Sequence, residues 1–226
     1  MQDITTPPKT DRVRARRMHE RGKYDKQSLY DVIDAGFLCH VGYVIDGAPF
    51  VTPTLYWREG NYIYWHGSAA SRMLESVEGR PVCITISHFD GFVMARSAFN
   101  HSVNYRSVML LGNAELVAEP DEKAESLKHF LDSLFPGRWD MMRPMTAQEL
   151  KATSVLRMEI DEASAKSRSG PPGDQEDAGV PVWAGVLPMS LMSGVPQRDV
   201  LVPEGVTAPE HVTGFDASRP YKGSAD

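Results

Sequence analysis

Apolar residues recur along this chain at two periods, and the change from one to the other organises it. Between residues 12 and 35 the apolar positions Val13, Met18, Leu29, Val32 and Ile33 keep a helical rhythm that Gly36 would end. From residue 37 the period shortens to that of strands, in the runs Phe37 to Ile45, Ala48 to Trp57, Asn61 to His66 and Pro81 to His88. Asp46-Gly47 between two such runs is the dipeptide that closes a tight hairpin, and Glu59-Gly60 marks a second turn. Gly91 to Ser97 reads as another strand, and Arg106 to Ala118 as a long one interrupted near Gly112 by a bulge or a tight bend. After Glu119-Pro120-Asp121, a helix start, Ala124, Leu127, Phe130, Leu131 and Leu134 recur at helical spacing until Pro136-Gly137. A short helical turn at 146 to 151 and a last strand at 154 to 160 complete the periodic part. Beyond Ser167 the chain turns Gly/Pro-rich, and from 187 to 226 no period survives, so that segment is either disordered or an arm lying on another surface.

Many short strands with few helices predict a mainly β fold. The expected form is a small antiparallel barrel with peripheral helices, since closing a sheet removes its exposed edges. A length of 226 residues fits one domain, expected over 12 to 190, with a polar, disordered stretch at 1 to 11 and an irregular C-terminal arm at 191 to 226.

Charge narrows the functional classes. The formal net charge of −6 speaks against a nucleic-acid binder. The basic N-terminal stretch of Arg12, Arg14, Arg16, Arg17, Arg21, Lys23 and Lys26 is interrupted by Asp11, Glu20 and Asp25 and carries no aromatic stacking platform, so a solvated or dimer-packing helix is expected in place of an RNA-binding or membrane-binding one. Cys39 and Cys83, the two cysteines, lie in apolar runs without zinc-ligand spacing and read as buried thiols of a reducing compartment, with no metal site. No apolar run approaches 18 residues and no signal peptide is evident, from which a soluble cytoplasmic protein is expected.

The richest chemistry lies in residues 61 to 72, Asn-Tyr-Ile-Tyr-Trp-His-Gly-Ser-Ala-Ala-Ser-Arg, an aromatic strand that runs into a small-residue turn. Gly67, Ser68, Ala69 and Ala70 would let backbone amides approach an anion, Met73, Leu74 and Val77 continue as a helix face over 71 to 78, and Arg72 could clamp two phosphate oxygens. The plainer reading of Ser71-Arg72 is a helix N-cap followed by a solvated arginine. His66 reads either as a half-buried strand-end residue or as a proton donor, and Arg96, His101, Asn104 and Arg106 read either as a self-satisfied loop or as a substrate-facing one. Met141, Met142 and Met145 read as a lid or packing patch.

Four segments resemble the FMN-binding split-barrel proteins related to pyridoxamine 5'-phosphate oxidase, in particular the branch of nitroimidazole-reductase-like and flavin-nucleotide-binding proteins. They are Pro53 to Trp57, Tyr64 to Arg72, Ala95 to Val108, and Val182 to Pro188. The resemblance implies a split β-barrel and a homodimer with FMN held at the subunit interface. It places the FMN phosphate at Ser71 and Arg72, with Gly67 and Ser68 in the same turn, the ring beside Pro53, Thr54 and Ser107, and Asn104, Arg106 and Trp183 around the flavin. It also implies an FMN-dependent oxidoreductase passing electrons or hydride to a small organic substrate, with His66 or His101 supplying protons. The pattern departs from the vitamin-B6 oxidase after Trp183, where Ala184-Gly185-Val186-Leu187-Pro188 stands in place of an arginine-rich end that would clamp a substrate phosphate. Two rival readings keep the fold: a flavin carrier or sensor without turnover, and a split barrel that uses haem or a deazaflavin, for which His66, His88 and His101 are the candidate axial ligands.

Overall fold

Burial alternates along two of the strand runs, with Cys39, Val41 and Tyr43 inward on one and Val82, Ile84 and Ile86 on the other, and this rolls one continuous sheet around its own apolar face. A computed structural model describes residues 6–218. The strands are β1 (Gly22–Lys23), β2 (Leu38–Ile45), β3 (Ala48–Glu59), β4 (Tyr62–Ser68), β5 (Pro81–Met94), β6 (Ser102–Asn113), β7 (Glu115–Leu116), β8 (Thr153–Glu159), β9 (Glu162–Arg168) and β10 (Gly185–Pro188). They lie in the order β1-β9-β6-β5-β2-β3-β4-β8-β7, all paired antiparallel, and β10 joins the far half of β5. The mainly β fold expected from the periodicity, in the split-barrel form that the resemblance implies, is what forms.

The barrel interior holds Val41, Ile63, Trp65, Ile84, Ile86, Leu110 and Met158, closed at one end by Leu29, Val32 and Ile33 of α1 (Lys26–Ile33). Each such side chain contributes about 1.5–3 kcal/mol when fully buried. A second apolar cluster, Trp57, Tyr64, Val117, Leu127, Phe130 and Val155, lies outside the sheet under α3 (Pro120–Leu134). The Trp57 indole N–H donates to Glu59 Oε1 at 2.6 Å, and the Ser126 hydroxyl of α3 donates to the same oxygen at 2.6 Å, so the helix and the strand share one half-buried acceptor. The short helices are α2 (Arg72–Val77), α4 (Ala147–Ala152) and α5 (Glu210–Thr213). No described helix is long and apolar enough to cross a membrane.

Several expectations need correcting. The helical rhythm of 12 to 35 yields a helix only at α1, because Met18 sits in the left-handed region at φ 52°, Gly22–Lys23 pair with β9, and Asp25 accepts from the Ser28 amide to start the helix there. Ahead of α1 the chain is an irregular strap of bends and turns: Val13 is buried, Thr10 and Arg12 bind Glu162, and the Lys166 ammonium donates to the Arg17 carbonyl at 3.2 Å. Lys9 pairs with Asp161, and residues 1 to 5 of the stretch expected to be disordered lie outside the described residues, as do 219 to 226 of the C-terminal arm. Gly112 causes no bulge. A Cβ there would come within 2.8 Å of Met158 Cγ, and the register shift falls instead on β5 between Phe89 and Gly91. The hairpin at Asp46-Gly47 forms with φ of 50° and 79°, as a two-residue turn of that type requires.

Candidate functional site

Cross-strand partners project to the same side of a sheet, so the register reads out the barrel's outer face. His40 is opposite both Pro53 and Thr85, and Thr85 is opposite Met109. One step along, Gly42 is opposite Val51 and Cys83, and Ser87 is opposite Ser107. The result is a floor of small side chains, Gly42, Cys83, Thr85, Ser87 and Ser107, bordered by apolar ones left open to solvent: Val51 is 68 % exposed, Val44 55 %, Leu38 49 % and Leu55 40 %. Cys83 is therefore a half-buried thiol of this outer face, not an inner one; Cys39 is the inner thiol, pushed up to about 12 by burial. Two concavities share this face and meet at His40. One of about 570 Å³ is bordered on this face by Val44, Val51 and Cys83 and is also lined by the inward-facing pair Tyr43 and Phe50, and one of about 470 Å³ is bordered by Leu38, Phe89, Arg106 and Met189.

At the turn from β4 to α2 the expected anion cradle is partly used up. The Ala69 amide donates to the Ala152 carbonyl at 2.8 Å, the Ala70 amide to the Ser68 hydroxyl at 3.3 Å, and the Ser71 amide to the Ser68 carbonyl at 2.9 Å. Gly67 is small for another reason, since a Cβ there would stand 3.0 Å from Leu74 Cδ1 of α2. What stays uncommitted is the side-chain pair. Ser71 stands at the N-cap position but its hydroxyl makes no capping bond, in contrast to Asp25 and Thr146, which cap α1 and α4. The Arg72 guanidinium lies 5.0 Å over the ring of Phe50, a wall residue of the larger concavity, and forms no ion pair with a described residue.

The remaining predicted residues separate. Pro53 and Thr54, adjacent in sequence, face opposite sides of β3, and only Pro53 is on the outer face. Ser107 is on that face and donates to the Lys166 carbonyl at 3.2 Å. Arg106 makes a bidentate pair with Asp90, at 3.0 and 2.8 Å, and lines the smaller concavity; the hydrogen-bonded carboxylate holds the guanidinium pKa above its ordinary value. His66 is under α3, with its ring 5.3 Å from Phe130 and 5.8 Å from Trp57 and its Nδ1 sealed without a partner; burial lowers its pKa. Asn104, His101 and Trp183 belong to the far end of the sheet, where β10 pairs with β5. Asn104 is buried and bonded to Arg168 and Gly170, His101 is exposed with Nδ1 2.8 Å from the Ser97 carbonyl, and Trp183 is 67 % exposed.

Two features of the site were missed. His40 is exposed between outward-facing Leu38 and Gly42, and the signal was a single imidazole at an outward position of an otherwise apolar alternation. The basic strap is the other: Arg14, Arg16 and Arg17 border a hollow of about 280 Å³ whose floor is Thr85, Ser107 and Met109. Its arginines had been assigned to a helix, which hid their position over the sheet.

The profile of the pyridoxamine 5'-phosphate oxidase family matches residues 25–167. Among solved structures, the flavocytochrome Anf3 from Azotobacter vinelandii shares 44% sequence identity, covering 93% of this chain and 99% of its own, with a TM-score of 0.89. The FAD and haem binding protein from Mycobacterium smegmatis shares 34% identity over 87% of this chain and 97% of its own, with a TM-score of 0.82. A candidate 5-nitroimidazole antibiotic resistance protein from Bacteroides thetaiotaomicron shares 23% identity over 64% of this chain and 85% of its own, with a TM-score of 0.52, which speaks to the fold alone. No curated protein matches the sequence.

Proposed function

The chain belongs to the pyridoxamine 5'-phosphate oxidase family, and from that premise we propose that it is an oxidoreductase carrying a flavin and a haem on the outer face of its barrel, at the interface of a homodimer. The observation that carries this reading is uncommitted polar chemistry beside uncovered apolar surface. Ser71 makes no capping bond and Arg72 no ion pair with a described residue, and the guanidinium lies over Phe50, which lines the same concavity as the exposed Val44 and Val51. Two relatives matched over nearly their whole length, a flavocytochrome and an FAD and haem binding protein, support the choice of cofactors.

The residues present fit a flavin. Arg72 has the planar donor fork that matches phosphate oxygens, Phe50 holds that fork in place from below, and the Ser71 hydroxyl adds a donor. The floor of Gly42, Cys83, Thr85, Ser87 and Ser107 leaves room for a flat ring system to lie close to the sheet, with Pro53 at its border. FMN, the flavin the sequence resemblance implies, and FAD share the ring, the ribityl chain and the first phosphate, and this cradle serves that shared part. His66, whose pKa burial lowers, stands under α3 beside Trp57 and Phe130. A bound flavin exchanges one or two electrons and a bound haem one, and the protein supplies orientation, an apolar setting and exclusion of water. The stretch directly after Trp183 serves the fold as β10, and Ala184-Gly185-Val186-Leu187-Pro188 holds no arginine with which to grip a substrate phosphate. The substrate is accordingly a small organic molecule other than a pyridoxamine phosphate.

Purification from cells supplied with riboflavin and a haem precursor tests this reading. A protein with both flavin bands and a Soret band, running as a dimer in sedimentation and oxidising a reduced nicotinamide faster than free flavin does, is the expected result. A colourless chain that takes up neither FMN, FAD nor haem at micromolar concentration would overturn it.

A further inference from the structure

Charge runs against the average of the chain in one place. The formal net charge is −6, yet the hollow of about 280 Å³ beneath the strap is lined by Arg12, Arg14, Arg16, Arg17 and Lys166 and by no described Asp or Glu. Two of these cations are neutralised from outside the hollow, Arg12 by Glu162 and Arg14 by Asp11, with Nε to carboxylate distances of 3.0 and 2.8 Å. Lys166 donates to the Arg17 carbonyl, which leaves its charge uncompensated, and the Arg16 and Arg17 guanidiniums form no ion pair with a described residue. The second concavity is different, since its arginine, Arg106, is held by Asp90.

The strap is fixed to the sheet by its small and apolar residues. Val13 is buried, the Ala15 amide donates to the Tyr24 hydroxyl at 2.8 Å, and Gly22 lies so close that a Cβ there would stand 2.8 Å from Ala15 Cβ. The arginines are therefore held over β6 and β9 by the backbone that carries them. Like charges gathered around a concave wall repel one another and focus a positive potential into it, and an oxyanion relieves both effects. Thr85 and Ser107 belong to this hollow and to the floor of the flavin face, whereas Met109, Ser164 and Lys166 belong to the hollow, with Ser164 opposite Met109 and Lys166 opposite Ser107 one strand further out. Arg72, over Phe50 of β3, stands at the other end of the strand order β3-β2-β5-β6-β9, so the strap is not needed for the first flavin phosphate. The volume suits one or two fused rings and excludes a dinucleotide. We propose that the substrate is a small organic anion, whose carboxylate or similar oxyanion is held by Arg16, Arg17 and Lys166 while its reducible part reaches back to Thr85 and Ser107. This rests on the functional reading above and deepens it by naming the charge of the substrate and the residues that select it.

The test compares the flavin-loaded protein with the double variant Arg16→Gln/Arg17→Gln on two acceptors, 1,4-naphthoquinone-2-sulfonate and neutral 1,4-naphthoquinone. A reduced nicotinamide gives up a hydride, and the quinone takes its two electrons with two protons, one of them from water, and leaves as the hydroquinone. Calorimetry with benzenesulfonate, which is not reduced, reads binding without turnover. The expected result is a fall of about 10-fold or more in the ratio of kcat/KM for the anionic over the neutral quinone, mainly through KM, and a similar loss of benzenesulfonate affinity. Raising the ionic strength from about 0.01 to 0.15 M should weaken both in the wild type as the screening length shortens. Lys151→Gln, an exposed cation of α4 outside the hollow, should leave the ratio in place. An unchanged ratio with unchanged benzenesulfonate affinity in the double variant overturns the proposal, and a protein that still carries flavin then leaves the functional reading intact. A double variant that loses FAD affinity and keeps FMN affinity assigns the strap to the second phosphate of a dinucleotide flavin, and one that sediments as a monomer beside a dimeric wild type assigns it to the subunit contact; either result also overturns the proposal. A chain that binds no flavin overturns the functional reading and this proposal with it.

Discussion

β3 carries outward side chains into two different settings. Trp57 and Val51 lie on the same side of one strand, yet Trp57 is fully excluded from water beneath α3 and Val51 is 68 % exposed. The covered half of the outer face is a second hydrophobic core, with Trp57 stacked on Tyr64 and Phe130 at centroid distances of 5.6 and 4.7 Å. The open half has the same apolar character without a cover. A strand whose alternation continues unchanged past the edge of its helix exposes surface that water disfavours, and such a patch marks a place where something else binds. One sheet face is thus divided between a covered core and open apolar surface.

Truncation should separate the two halves most sharply. Trp57→Ala is expected to lower the folding free energy by about 3–5 kcal/mol, whereas Val51→Ala in the ligand-free protein should change it by less than about 0.5 kcal/mol. Urea denaturation of both variants checks this, and comparable losses would abolish the distinction. Arg72→Ala should reverse the ranking of effects: flavin affinity falls by about 1.5–3 kcal/mol, roughly 10- to 150-fold, while ligand-free stability is retained. Fluorescence titration with FMN and FAD measures it, and undiminished affinity would remove Arg72 from the site.

Capping residues give a finer test. Asp25→Ala should cost about 1 kcal/mol because the Asp25 carboxylate accepts from the Ser28 amide at 2.9 Å, while Ser71→Ala, whose hydroxyl caps nothing, should cost no more than a few tenths and act on flavin binding instead. The smallest expected effect is on pH dependence. Burial lowers the folded-state pKa of His66 and of His88, so as the pH falls below the ordinary histidine value near 6.5 the unfolded chain takes up protons first and stability declines through the folded pKa. Above that window both groups are neutral in both states and contribute no slope. His66→Gln should flatten the stability profile between about pH 5 and 7 relative to the wild type, and an unchanged profile would show that the cluster under α3 admits a charged imidazole.

The strands β2 to β5, the helices α1 to α4 and the Asp46-Gly47 turn were largely legible in the sequence, because each is written in a local period or a local dipeptide. β9 and β10 were not. Glu162–Arg168 carries only Ala163 and Ala165 as buried apolar positions, and Gly185–Pro188 is a four-residue addition to an edge that exists only once β5 is in place. The site was legible in part. Ser71 and Arg72 stood out by residue type, but the amides of their turn are engaged by Ala152 and Ser68, partners that a strand-to-helix spacing does not disclose. Thr54 and Pro53 looked equivalent until the pleat turned them to opposite faces.

What the amino-acid order decided alone is the parity of each strand: whichever way the sheet rolls, Cys39, Val41 and Tyr43 share one side and Leu38, His40 and Gly42 the other, since side chains alternate with a period of two. Tertiary structure alone decided which outward residues are covered and which remain open. That choice depends on where α3 comes to rest, sixty residues beyond β3, and on the strap ahead of α1 lying across β9. Burial is a property of contacts between distant segments, so no local pattern could tell Trp57 from Val51, or mark His40 as an imidazole left without a partner.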